Sequence, residues 1–192
     1  MMNKGQQGKI STENIKGKNM INKKQPTIGC CGIDCGLCPR YYTDGASRCP
    51  GCGGEGFERK HPSCAFITCC VKRRGFEVCA ECGEFPCRKF DKETGERDSF
   101  VTHRRVMENQ RQIAEAGLDA FLEQQKERVV FLETALKDYS DGKSKGFYCI
   151  AAALLSVEGL NNTLSLAKQG ESLRDALTRI AETEGQDLKL RK

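Results

Sequence analysis

Twelve of the thirteen cysteines fall between Cys30 and Cys87: Cys30, Cys31, Cys35, Cys38, Cys49, Cys52, Cys64, Cys69, Cys70, Cys79, Cys82 and Cys87. Three pairs, Cys35/Cys38, Cys49/Cys52 and Cys79/Cys82, have C-x-x-C spacing. Two thiolates on one short turn can point at a single ion, and two such turns close a tetrahedral four-sulfur site. In Cys49-Pro50-Gly51-Cys52-Gly53 and Cys79-Ala80-Glu81-Cys82-Gly83 a glycine follows the second cysteine. Glycine adopts positive φ freely, which lets backbone N–H groups turn toward the sulfurs and stabilise thiolate charge.

Both turns look like the metal knuckles of rubredoxins and zinc ribbons. Closed sulfur coordination favours zinc, about two ions. An iron–sulfur cluster is the competing cofactor, because cysteine thiolates hold those as well. The spacing Cys31-x3-Cys35-x2-Cys38 matches the radical-SAM cluster motif, but that chemistry needs a parallel α/β barrel to follow, and here helical patterns follow. The segment reads instead as a zinc knuckle with a neighbouring cysteine. Four sulfurs leave no open position for substrate, so the metal is expected to be structural and the protein not an enzyme. His61, in Lys60-His61-Pro62, reads as a ligand or a loop residue; His103 reads as a residue on a solvated helix face. No Gly-rich dinucleotide motif, P-loop or nucleophile elbow is present.

The elements that must position these cysteines divide the chain in three. Residues 1–26 hold six lysines and one glutamate, which accounts for the whole net charge of +5, and read as a disordered basic tail. Residues 27–96 read as the metal module. It is poor in large aliphatics, so metal substitutes for core there. Pro39 is placed to start a short helix through Tyr42, Ser63 to cap one through Val71 that Gly75 stops, and Pro86 to start a third through Phe90, with Cys87 near its N-terminus. Residues 97–192 read as a helical part. Asp98 or Ser99 caps a helix to Ala116, and Gly117 ends it. A second carries the seam Leu118, Leu122, Gln125, Val129, Leu132 and Leu136. Phe147 to Leu155 is the apolar centre of the C-terminal core, followed by helices over Leu160–Lys168 and Leu173–Glu184. Asp187 to Arg191 alternates like a short strand. The fold class is mainly α, with a small irregular α+β metal module packed on a helical part.

A folded portion with balanced charge argues against a nucleic-acid partner, although Lys72-Arg73-Arg74 with Arg59, Lys60, Tyr41, Tyr42, Phe57 and Phe76 offers a basic, aromatic patch. Lys143 and Lys145 among glycines offer a possible anion nest before the Phe147 helix. No apolar leader follows the N-terminal lysines, and the longest apolar run is too short to cross a bilayer. Many free thiols fit the reducing cytoplasm. The leading role is binding, as a scaffold or adaptor for a protein partner; the alternatives are an iron–sulfur or thiol redox protein and a nucleic-acid-binding zinc protein.

The order C-G-I-D-C-G-L-C-P at Cys31 to Pro39, then C-x-G-C, then Cys64/Cys69, then C-A-E-C-x4-C at Cys79 to Cys87, resembles an uncharacterised cysteine-rich domain-of-unknown-function family common in anaerobic bacteria and archaea. Gly146-Phe147-Tyr148-Cys149 and Leu188-Lys189-Leu190-Arg191 extend the likeness to Lys192. The family is described as zinc-binding, without a settled activity. The resemblance implies that Cys31, Cys35, Cys38, Cys49, Cys52, Cys64, Cys69, Cys79, Cys82 and Cys87 are the ligands. Cys30 and Cys70 are then additions beside pattern positions, each able to trade places with its neighbour. Cys30, in a loop, is the first candidate for a reactive thiol and Cys70 the second; Cys149, in an apolar helix, reads as core.

Overall fold

The computed structural model describes residues 21, 23–61, 63–92 and 97–192. The expected tail lies outside the described residues as far as position 20, and so does Pro62. The protein is mainly helical, and no strand occurs among the described residues.

The cysteine module is built from short turns. Cys35–Leu37 and Cys79–Glu81 are 3-10 turns, closed by Cys38 N–H on Cys35 O and Cys82 N–H on Cys79 O. A short helix α1 spans Phe57–Lys60. Helix α2, Ala65–Ile67, continues as a π-helical turn over Thr68–Arg73. It ends at Gly75, whose φ of 72° gives the left-handed stop that glycine allows. Three local expectations change. Cys64, not Ser63, sits at the N-cap of α2. Pro39 opens a single turn rather than a helix, with the Thr43 hydroxyl donating to Pro39 O. After Pro86 the next helical turn is Phe90–Lys92, so Cys87 does not sit at a helix N-terminus.

The start of the chain is not loose where it is described. Lys23 is buried, and Glu77 accepts from its ammonium and from the amides of Lys24 and Gln25. The Pro26 carbonyl accepts from Cys52 N–H at 2.8 Å. It passes so close to Gly51 that a Cβ there would lie 2.3 Å from it.

Five helices follow: α3 Val106–Ala116, α4 Leu118–Asp138, α5 Lys145–Leu154, α6 Val157–Lys168 and α7 Leu173–Thr183. Gly117, at φ 88°, both ends α3 and begins α4. Helix α5 is the centre, as its apolar sequence predicts: every residue from Tyr148 to Leu155 is buried, and α4, α6 and α7 pack round it. Ser156 and Ser172 cap α6 and α7 through their hydroxyls. The predicted seam of α4 is only half right. Leu132 is fully buried, but Leu118, Leu122, Val129 and Leu136 are partly covered; the deepest positions are Phe121, Arg128, Phe131, Leu132 and Ala135. Three helices, α3, α5 and α6, press on α4, so its buried stripe is wider and displaced from a two-helix seam. Arg128 belongs to it because its guanidinium donates to Ala152 O and Leu155 O, the loose carbonyls at the end of α5.

The last residues do not form a strand. Their carbonyls meet a side chain instead of a partner strand: Arg104 donates to Asp187 O and Lys189 O. Asp98, expected as a helix cap, is the clasp of this segment. It accepts from His103 N–H, from Arg191 N–H and from the Arg191 guanidinium, and α3 begins only at Val106. Burial works to raise the Asp98 pKa, but these donors outweigh it and hold the carboxyl at about 2. A carboxyl lowered on folding adds stability that is fully present above its unfolded value near ~3.9 and lost as pH falls toward the folded one. Asp98→Asn should therefore cost roughly 2 kcal/mol at pH 7 and remove the part of the acid sensitivity that falls between about pH 4 and 2. Amide exchange at Arg191 across that range checks this.

Candidate metal centre

Four of the expected ligands, Cys35, Cys38, Cys49 and Cys52, line one cleft of about 370 Å³, with Ile33, Phe57 and Val101 among its walls. Another four, Cys69, Cys79, Cys82 and Cys87, line a second cleft of about 320 Å³, together with Cys70, Phe66, Phe85 and Phe90. The remaining two, Cys31 and Cys64, are half-buried in the core shared by both sets. Among the described residues no group of three or more His, Cys, Asp and Glu side chains is set to hold a metal ion.

Each sulfur is placed by backbone. The two 3-10 turns put Cys35 beside Cys38 and Cys79 beside Cys82. Cys49 is anchored by its N–H on Arg40 O. Amides face sulfur at several positions: those of Arg40 and Tyr41 at Cys38, those of Ile67 and Phe66 at Cys64, and that of Cys52 at Cys35. This is the N–H to sulfur pattern that steadies thiolate ligands. The glycine rule holds for one knuckle only. Gly53 has φ 72°, whereas Gly83 lacks a positive φ. In the second knuckle the sulfur donor is a side chain: Arg74 Nη1 lies 2.9 Å from Cys82 Sγ, and Nη2 pairs with Glu84 at 2.6 Å.

Cys30 and Cys70, expected as additions beside pattern positions, sit at the middle. They are 1% and 3% exposed. Cys30 meets the sulfurs of Cys52, Cys64 and Cys70, which with burial push its pKa up. The same contact with Cys30 draws Cys64 down to about 6 and, with help from Cys79, Cys70 to about 4. Cys30 thus links the Cys52 side of one cleft to the Cys70 side of the other. Its burial overturns the expectation of a reactive loop thiol. His61 stacks on Phe57, with ring centroids 4.6 Å apart, beside the first cleft. His103 Nε2 lies 3.0 Å from Ser99 Oγ. Burial pushes Cys149 up to about 12, in the helical core as expected.

Residues outside the cysteine pattern fix the module to the helices. Asn109 and Gln110 on α3 are both fully buried. Asn109 Nδ2 donates to Gly32 O and Asp34 Oδ2. Gln110 donates to Cys30 O at 3.0 Å and accepts from Ala80 N–H at 2.5 Å, so one side chain holds both cysteine loops. Leu37, inside the first knuckle, is part of the helical core. Sequence reading missed this pair; two adjacent amides on one helix carry no signal until their partners are known. Gln110→Leu leaves the Ala80 N–H unpaired, while Cys30 O keeps the Cys79 N–H, and costs about 1–3 kcal/mol. Faster amide exchange at Ala80, with α5 unaffected, is the expected readout.

The segment before α5, read as a plain connection with an anion nest as the alternative, is closed from within. Asp141 Oδ1 accepts from Lys143 N–H, Ser144 N–H and the Ser144 hydroxyl, and Lys145 donates to Tyr42 O. No helix of the described residues is long and apolar enough to cross a membrane.

Searches of curated proteins and of solved structures gave no match. A family model described as Protein of unknown function (DUF3795) matches residues 27–92, and helices α3–α7 lie outside that match. Over the cysteine module, therefore, the chain is similar to this uncharacterised domain-of-unknown-function family.

Proposed function

We propose that residues 27–92 are a thiolate metal-binding module and that the bound metal organises it as a scaffold. The observation that carries this reading is the sorting of eight expected ligands into two sets of four, each around its own cleft. Sulfur donors, amides aimed at them and apolar walls are what a buried metal–thiolate centre needs. Cys31 and Cys64 complete the ligand set implied by the family. The knuckle turns favour zinc, about two ions, in closed sites with no position for substrate. The module would then serve as a scaffold or adaptor for a protein partner. Thirteen cysteines outside any disulfide suit a cytoplasmic setting.

A nucleic-acid role has less support. Phe57 is buried, Tyr42 packs on the helical core, Lys60 donates to Ala46 O and Arg48 O, and Arg74 is tied to Cys82 and Glu84. These members of the patch are spent on internal contacts, while Arg59, Lys72 and Arg73 are exposed.

Thiol counting tests the proposal. In anaerobically isolated native protein, a thiol reagent should reach few of the cysteines between Cys30 and Cys87. After chelation nearly all should react. Equal labelling before and after chelation would refute the module.

A further inference from the structure

Helix α4 carries a seam that the described residues cover only in part. Leu118, Leu122, Gln125, Val129, Leu132 and Leu136 repeat at the spacing of a helix packed along another helix. Leu132 is fully buried, but Leu122, Gln125 and Val129 are half-buried. These three line an open cleft of about 380 Å³. Its opposite wall comes from the stretch between Gln25 and Leu37, where Ile28 and Leu37 are buried. Val130 is shared with a neighbouring cleft of about 390 Å³ and is 62% exposed. Positions i, i+3 and i+7 on an apolar groove are the spacing that receives an amphipathic helix.

The charge of this face is negative. Asp34, in the lining of the first cleft, is only 4% exposed. Its Oδ2 accepts from Asn109 Nδ2, and Oδ1 accepts no hydrogen bond among the described residues. The sealed side-chain atoms without a partner there are Asn109 Oδ1 and Arg191 Nε, so Asp34 Oδ1 is not closed off. Arg128 and Arg105 attract the carboxylate without an ion pair, and Arg128 donates to Ala152 O and Leu155 O. Glu123 and Glu127 are exposed in the neighbouring cleft. Lys126, the cation shared by both clefts, is already paired with Glu123. A second copy of the chain would set this negative face against itself, whereas a cationic partner meets complementary charge.

We infer that this groove docks an amphipathic helix of a protein partner, its apolar face on Leu122, Val129 and Val130 and its Lys or Arg side chains toward Asp34, Glu123 and Glu127. The inference gives the adaptor reading its partner class, and rests on that reading for the expectation of a protein. Lys and Arg lay their aliphatic stems along apolar walls while the charged head reaches a carboxylate. One such side chain entering the cleft meets Asp34 Oδ1. No cysteine lines either cleft, yet Ile28, Asp34 and Leu37 come from the metal module, which ties docking to the folded module.

The probe is a synthetic peptide of about 14 residues, roughly 21 Å of helix, with Leu along one face and Arg beside it. Its twin carries Glu in place of Arg. Anisotropy of the labelled peptide reads binding to the full, metal-loaded chain. The basic peptide should bind and the acidic twin should not. Val130→Asp changes an exposed side chain, so folding is not at stake, and it should weaken binding about tenfold. Asp34→Asn keeps an acceptor for Asn109 Nδ2 and should weaken binding roughly fivefold. Equal binding of the two peptides, unchanged affinity in Val130→Asp, or no binding of the basic peptide overturns the groove. Self-association of the chain that Val130→Asp abolishes would give the face to a second copy and overturn it too. Thiol labelling of the same sample keeps the readings apart. Protected thiols without peptide binding remove the groove and leave the metal module; peptide binding with unprotected thiols keeps the groove and removes the module.

Discussion

Stripping the metal should unfold the cysteine module and leave α3–α7 in place. The two halves are built from different material. The helical core, centred on α5, is made of Leu, Ala, Tyr and Phe side chains, and among the described residues Leu37 is its only fully buried member from the module. The module's own interior is sulfur and a few aromatics: Cys30, Cys52, Phe57, Phe66, Ile67, Cys70 and Phe90, with Val106 from α3. Its helices are one turn or less of α plus one π-helical turn, too short to stand alone. Without metal the sulfurs lose their bonds and the turns lose their reason to close, since metal-binding free energy is folding free energy in such a module. Far-UV helicity should fall only slightly, because nearly all α-helical residues lie after Val106. Protease cutting between Cys30 and Cys87 should rise by an order of magnitude or more. The stretches gripped by Asn109 and Gln110 should be the last to open. An apo protein still resistant to protease there would show that metal is not structural.

The second large effect is expected from single ligands. Cys49→Ser and Cys82→Ser each break one four-sulfur set, and each should remove one of two centres and lower soluble yield. The double variant should hold almost no metal, because the two residues line separate clefts. Cys149→Ala is the control. That thiol is 2% exposed inside α5, and its loss should cost about 1 kcal/mol of packing with metal content unchanged. Metal loss in the Cys149 variant, or none in either knuckle variant, would overturn the ligand assignment.

Much of this was legible in the residues. Helical periodicity and glycine stops placed α4 to α7 and the end of α3 within a few positions, because a strongly apolar run such as that of α5 can fold in few ways. The C-x-x-C spacing brought Cys35/Cys38 and Cys79/Cys82 onto turns, since four residues allow little else. What failed depended on distant partners. Ser63, Asp98 and Pro86 have the chemistry of helix starts, yet Asp98 is claimed by Arg191 from the far end of the chain. Cys70 was ranked below Cys69 by pattern alone. The π-helical turn over Thr68–Arg73 places Cys70 inward, against Cys30 and Cys79. Lys23 looked like part of a solvated tail until Glu77 supplied its counter-charge.

X-ray absorption at the metal edge of the anaerobically isolated chain tests the central claim most directly. The account predicts a first shell made of sulfur alone, four sulfurs per metal, whichever metal is bound. A shell with nitrogen or oxygen ligands in the majority would contradict it.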